Sequence, residues 1–324
     1  MLQGRISRPI VQRLVVLLMG TIILLTVIGL LIKEGGSFFE VLARAGPNVA
    51  PTVLAALALT GIIFTGAIDL SIASMIVVAG TVFGILVFRG FNPVFCYAAC
   101  FLTALTLSVV NGCLVRVLKI PAIIITLAGL AFYRGLALVI ADMWVPGFSG
   151  NISVHDDAYH APGKLYAGWI LLFALAVAGT WELFAKSPRR WLALGNSEEA
   201  CQLLGLDPGR VLQSAFLVSG LFLGTAALIY VTRVQSIEPA RMALGFELQV
   251  IGAVILGGTN IFGGEGSYAG SVLGAFFLYF VLELLIYAGV SPYFQEVVTG
   301  AIILGVIGLD CGLNRRRKLL EELK

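Results

Sequence analysis

Charge is scarce in this chain. Only 12% of its 324 residues are Asp, Glu, Lys or Arg, against about 25% in ordinary soluble domains. The formal charge of +3 offers no basic face of the kind that nucleic acid requires. Histidine occurs only as His155 and His160, and the five cysteines form no CxxC pair. Cys96 and Cys100 stand one helical turn apart with no His or carboxylate beside them, so they read as small apolar packing residues rather than metal ligands. No GxxxxGK[ST], HExxH or GxSxG sequence occurs, and no polar segment is long enough to fold around a nucleotide. The expectation is a chain with no catalytic residues, no metal and no cofactor of its own, so that any ATP belongs to another subunit.

Apolar residues fill the remaining space. The chain is 59% hydrophobic with a mean hydropathy of +0.99, which predicts an all-α polytopic membrane protein forming one domain over 1–324. Ten apolar runs are visible, at 11–32, 47–66, 71–88, 93–118, 121–140, 165–185, 211–232, 246–262, 268–289 and 292–309. The first is long enough to remain in the membrane rather than be cleaved as a signal. Ten crossings with cytoplasmic N- and C-termini place fourteen of the 21 Lys and Arg residues inside, six outside and Arg134 alone within a span. The basic tail at 311–324 argues for an even number of crossings. Before the second span, residues 38–46 read as a short interfacial helix, and both histidines fall in an external loop at 141–164.

The one long polar segment on the cytoplasmic side is 186–210, flanked by Lys186, Arg189, Arg190 and Arg210. Asn196 or Ser197 can cap a helix there, Glu198 and Glu199 suit its positive end, and Gly205 can stop it, which predicts one surface helix of about two turns. It serves as a connector or as a docking site.

Two glycine-rich breaks interrupt the apolar pattern, at 65–71 (TGAIDLS) and 257–267 (GGTNIFGGEGS). Each places one carboxylate among small polar residues directly before an apolar run. Either they line a solute pathway, with Asp69, Ser71, Thr259, Asn260 and Glu265 as hydrogen-bonding groups, or they are tight hairpins in which Asp69 serves only as an N-cap. Four further polar residues within spans join the pathway candidates: Asn111, which reads first as a packing or hydrogen-bond position, Thr126, Arg134 and Glu283. Arg134 reads equally as a pathway group or as an anchor reaching the outer surface. Glu283 reads as a proton site or as the partner of another helix.

In order along the chain, TGAIDLS at 65–71, NG at Asn111, KIPAIIITLAGLAFYRG at 119–135, LGNSEEACQLLGLD at 194–207 and VIGAVILGGTNIFGGEGSYAGSVLGA at 250–275 resemble the permease subunits of bacterial ABC importers of the ribose, galactose and xylose class. The resemblance covers about 46–309. It implies a protein of the bacterial inner membrane, paired with a second permease copy or a paralogue. Cytoplasmic ABC ATPase subunits carrying ATP and Mg would power it, and a periplasmic or extracellular sugar-binding protein would supply it. Within 186–210, Asn196, Glu198, Glu199, Ala200, Leu204 and Gly205 lie in what resembles the family's ATPase-coupling segment. Ala67 and Ala73 stand where the family has glycine, and Glu283 where an uncharged polar residue is common. The function implied is inward transport of a monosaccharide or similar small polyol. The rival from another class is a self-contained proton-coupled transporter using Asp69 or Glu283.

Overall fold

The structure is a computed structural model that describes residues 8–31, 38–291, 293–305 and 308. The basic tail at 311–324, Cys311, Arg5 and Lys33 lie outside the described residues. The helices are α1 (Arg8–Leu31), α2 (Phe38–Phe64), α3 (Ile72–Phe88), α4 (Pro93–Leu118), α5 (Ala122–Trp144), α6 (Ala167–Phe184), α7 (Ser187–Asn196), α8 (Glu198–Leu203), α9 (Pro208–Val231), α10 (Phe246–Leu256) and α11 (Tyr268–Tyr287), followed by α12 (Tyr293–Gly305). Among the described residues, six helices are long and apolar enough to cross a membrane, in α2, α4, α5, α6, α9 and α11, and α3, α10 and α12 are shorter apolar helices.

Proline marks several helix starts. Pro93 and Pro208 occupy the first turn of α4 and α9, where the missing N–H costs nothing. Asn92 and Asp207 cap those turns by accepting from the amides of Val94 and Arg210 at 2.9 and 3.2 Å.

α2 and α3 form the centre. The spanning window of α2 is 89% buried, whereas those of α4, α5 and α6 are 22% buried, so these three turn outward. Their exposed Phe132, Trp169, Phe173 and Phe184 make the apolar surface that lipid solvates. Small residues let the inner helices approach. A side chain at Gly270 would overlap the carbonyl of Gly257, and one at Gly274 that of Ala253, which locks α10 against α11. Gly112 and Gly224 bring α4 and α9 together in the same way, against Phe216 and Phe101.

Four expectations are corrected. Residues 38–46 are not a separate interfacial helix, because α2 runs unbroken through Pro47 and Pro51, as membrane helices packed by neighbours tolerate. The apolar run at 246–262 stops being helical at Leu256, where Gly257 and Gly258 begin the second break. The single surface helix within 186–210 is two helices, α7 and α8, divided at Ser197. The 141–164 loop adds a small sheet to the helices among the described residues: β1 (Ile152–Ser153) pairs antiparallel with β2 (Ser236–Ile237), Ile152 opposite Ile237. That sheet pins the 141–164 loop to the turn after α9. Beneath it His160 is buried, its ring nitrogens 2.9 and 3.1 Å from the carbonyls of Thr232 and Val154.

Candidate coupling junction

The two breaks, far apart in sequence, meet at one end of the bundle. α2 ends at Phe64, and the chain turns through Gly66 at φ +80°. Gly263 and Gly264, at φ +87° and +78°, lie against that turn, and the amide of Gly264 donates to the Phe64 carbonyl at 3.2 Å. These left-handed conformations favour glycine, and the approach demands it, because a side chain at Gly263 would overlap the backbone of Gly66.

The last turn of α7 closes the junction. Gly195 lies against the Phe64 carbonyl and the Gly264 amide, with no room for a methyl group. Next to it, Asn196 Nδ2 donates to the carbonyls of Leu192 and Gly264 at 2.9 and 3.0 Å. Trp191, fully buried, donates from Nε1 to Ser214 Oγ at 2.8 Å and fastens α7 to α9. Three pieces of backbone, the ends of α2 and α7 and the second break, are thus in contact through glycines, the Phe64 carbonyl and the short amide of Asn196.

Outside this junction sits α8. Ser197, not Asn196, caps it, accepting from the Ala200 amide at 3.1 Å. Cys201 is buried and seats the helix, while Glu198, Glu199 and Ala200 are exposed and Leu203 and Leu204 are 89% and 72% exposed. Gly205 ends the turn at φ +74°. The result is a short face with two carboxylates at one end and two bare leucines at the other. Beside it a cavity of about 770 Å³ is lined by Gly66, Ile68, Arg116, Lys119, Glu198 and Asp207.

The remaining sequence candidates separate into distinct places. Asp69, Ser71, Asn111 and Thr126 come together in a buried polar cluster. Asp69 is not the N-cap of α3: its Oδ1 accepts from the Ser71 amide at 2.8 Å and from Ser71 Oγ at 2.6 Å, an Asx turn that leads into the helix. Asn111 Nδ2 donates to Ser71 Oγ at 2.8 Å, and Tyr133, which sequence reasoning missed, donates to Asn111 Oδ1 at 2.6 Å. Thr126 donates to the Ile68 carbonyl at 3.1 Å. The cluster binds α3, α4 and α5 to the first break, and Asp69 Oδ2 has no hydrogen-bond partner among the described residues.

Within the second break, Thr259 is buried, with its Oγ1 3.4 Å from Ser271 Oγ, which accepts from Thr60 at 2.7 Å. Asn260 closes the loop on itself, accepting from the Phe262 amide at 3.0 Å and donating its own amide to the Glu265 carbonyl at 2.9 Å. The Glu265 side chain is exposed. Glu182, also missed, accepts from the Tyr268 amide at 3.1 Å and places a carboxylate at the start of α11.

Arg134 and Glu283 belong to the other end of the bundle. The Arg134 guanidinium reaches the carbonyls of Pro239, Ala240 and Met242 at 3.2–3.4 Å and organises the turn before α10. Glu283 lines a second cavity with Arg233 and Arg241. Burial there lowers the pKa of Arg233, and Tyr279 opposes the shift.

The model of the family described as branched-chain amino acid transport system / permease component matches residues 47–307. The chain is similar to the Autoinducer 2 import system permease protein LsrC of Photorhabdus luminescens, 30% identical over 280 residues that cover 84% of this chain and 81% of that protein. The protein of the same name in Salmonella typhimurium is 30% identical over 271 residues, covering 81% and 77%. That of Enterobacter sp. strain 638 is 29% identical over 297 residues, covering 90% and 85%. With the family model spanning both breaks, α7, α8 and the polar cluster, the chain belongs to the branched-chain amino acid transport system permease family, as the membrane permease subunit of an ABC importer and not as an enzyme.

Proposed function

We propose that α8 is the face on which a cytoplasmic ATPase docks, and that the glycine junction beneath it carries the ATPase's movement into the two breaks. The observation that carries this reading is the seat of α7 and α8: an exposed acidic and leucine-bearing helix stands directly on the contact between Gly66, Gly195 and Gly264. A connector needs neither the exposed leucines nor the sealed junction. Asn196 belongs to the junction, and Glu198, Glu199, Ala200, Leu204 and Gly205 to the docking face.

The chain is a single permease domain with ten crossings and both termini on the ATPase side. The positive-inside count supports that orientation, and α7 and α8 lie at the end so assigned. ATP and Mg are held by the partner ATPase subunits. A second permease copy or paralogue completes the pathway, and an external binding protein supplies the solute. The cargo is a monosaccharide or similar small polyol, and autoinducer 2, named for the relatives, is the first compound to assay.

The test is recovery of the chain from native membranes in mild detergent. An ATPase subunit that accompanies it, and is lost when Glu198 and Glu199 are both changed to Lys, is the expected result. A chain recovered alone that still accumulates solute in vesicles carrying a proton gradient would overturn it.

A further inference from the structure

His160 is 1% exposed and stands where the 141–164 loop leads into α6. Its ring lies between two backbone carbonyls: Nδ1 is 2.9 Å from the oxygen of Thr232, at the end of α9, and Nε2 is 3.1 Å from that of Val154, the residue after β1. A carbonyl oxygen can only accept, and a neutral imidazole has one N–H. In either neutral tautomer, one of these buried contacts therefore sets a nitrogen lone pair against an oxygen lone pair. The imidazolium, with an N–H on each nitrogen, satisfies both. Burial opposes its charge, but a charge-assisted hydrogen bond is roughly twice as strong as a neutral one, and here there are two.

The surrounding contacts fix the ring between its partners. Ile152 pairs with Ile237 on one side, and a side chain at Gly163 would overlap Thr232 Oγ1 and the Arg233 amide on the other. Tyr97 and Tyr159 donate to the carbonyls of Ala158 and Phe91 at 2.6 and 2.8 Å, which holds the preceding turn against the start of α4. The ionisable groups on the ring's own segment are His155, Asp156, Asp157, Tyr159 and Lys164. Those on the elements packed against it are Cys96 and Tyr97 of α4, and Arg233 and Glu238 of the turn after α9. Lys164, at 2.8 Å, and to a lesser degree His160 hold the Asp157 carboxyl below the usual carboxylate range, so a carboxylate stands near enough to favour a proton on the ring. Arg134 grips the far part of the same turn through the carbonyls of Pro239, Ala240 and Met242. A guanidinium keeps its charge where an imidazolium gives up its proton.

We propose that His160 is a proton-operated clasp: as the imidazolium it fastens the 141–164 loop to the end of α9, and loss of the proton releases that fastening while Arg134 still holds the turn before α10. Protonation favours the closed loop, so closure is present in acid and is lost as pH rises. Neither cargo nor ATPase is needed for it.

The test uses the purified full chain in detergent, with heavy nitrogen in its histidines, of which there are two; His155→Gln, at an exposed position, leaves only the His160 signals. At neutral pH the nitrogen NMR spectrum is expected to show a proton on both ring nitrogens, and one bare nitrogen overturns the proposal. Hydrogen exchange is then followed as the pH is raised until the imidazolium signal is gone, with the intrinsic rise in the chemical rate divided out. Amides of 152–160 and 232–237 are expected to exchange faster by about tenfold or more, the equivalent of one hydrogen bond to a charged group. Those of Arg241 and Met242, which donate to the Glu238 carbonyl, should keep their rate. Loss of the proton without faster exchange overturns the clasp. His160→Gln cannot lose a proton, and its exchange is expected to show no such step with pH; a step retained in this variant assigns the switch to another group and overturns the proposal.

Discussion

Asn196 Nδ2 stands 3.0 Å from the carbonyl oxygen of Gly264, across 68 residues of sequence. This bond ties the end of a surface helix to a backbone break beneath the spans. Asn196→Ala removes it at a cost of about 1 kcal/mol, or about fivefold in an equilibrium. Solute uptake is expected to fall by that factor while the amount of ATPase recovered with the chain stays constant. Equal loss of both would make Asn196 part of the docking face instead.

Gly195 is the tightest point of the same junction. Gly195→Ala must push apart the Phe64 carbonyl and the Gly264 amide, an overpacking cost of about 1–3 kcal/mol. The thermal unfolding midpoint of the purified chain in detergent is expected to drop, and uptake with it. Gly135→Ala on α5, where an added methyl meets nothing within 4 Å, is the control and should leave both unchanged.

Asp69→Asn keeps the acceptor that Ser71 uses and replaces the carboxyl oxygen that has no partner among the described residues. Uptake is expected to stay close to that of the parent, within the roughly 0.5 kcal/mol of a tolerated substitution. Asp69→Ala leaves the Ser71 amide and hydroxyl without their acceptor and should cost about 1–3 kcal/mol in the unfolding midpoint. A proton-coupled carrier working through Asp69 predicts instead that the Asn variant is as inactive in transport as the Ala variant.

Glu198→Lys combined with Glu199→Lys is expected to abolish ATPase recovery with the membrane fraction of the chain unchanged. Leu203→Ala with Leu204→Ala should weaken the same association, by about 1.5–3 kcal/mol for each leucine buried at the contact. Quantifying both subunits in the detergent eluate checks the two double variants side by side.

Much of the helical order was legible in the sequence, because long apolar runs end where proline, glycine or clustered charge makes a span unfavourable. Pro93 and Pro121 mark the starts of α4 and α5 to within a residue, whereas α9 begins at Pro208, three residues before the apolar run at 211–232. The end of α10 was not legible, since Ile261 and Phe262 prolong the apolar pattern after the helix has stopped at Leu256. Nor was the division at Ser197, because Asn196 and Ser197 are equally good caps and only the pairing of Asn196 with Gly264 decides between them. The glycines of the two breaks announced interruptions of the apolar runs, but not that each break is the other's neighbour. Tyr133 and Glu182 gave no signal, since a tyrosine or a glutamate within an apolar run does not reveal which amide or carbonyl it will meet. Arg134 and Glu283 stood out as charges in apolar surroundings, and the turn carbonyls and the cavity that surround them became visible only in three dimensions.

The 11 residues of α10 make a rod of about 16 Å, roughly half of the 30 Å hydrocarbon layer. Such a segment cannot partition into lipid by itself during synthesis, because the break that follows it would carry bare amides and carbonyls into the layer. Its interlock with α11 through Gly257, Gly270 and Gly274 is therefore expected to set the order of biogenesis, with the pair leaving the insertion machinery as a unit once α2 is in place to shelter the break. A nascent chain truncated shortly after the second break should leave α10 extractable by alkali, and one extended past α11 should make it resistant.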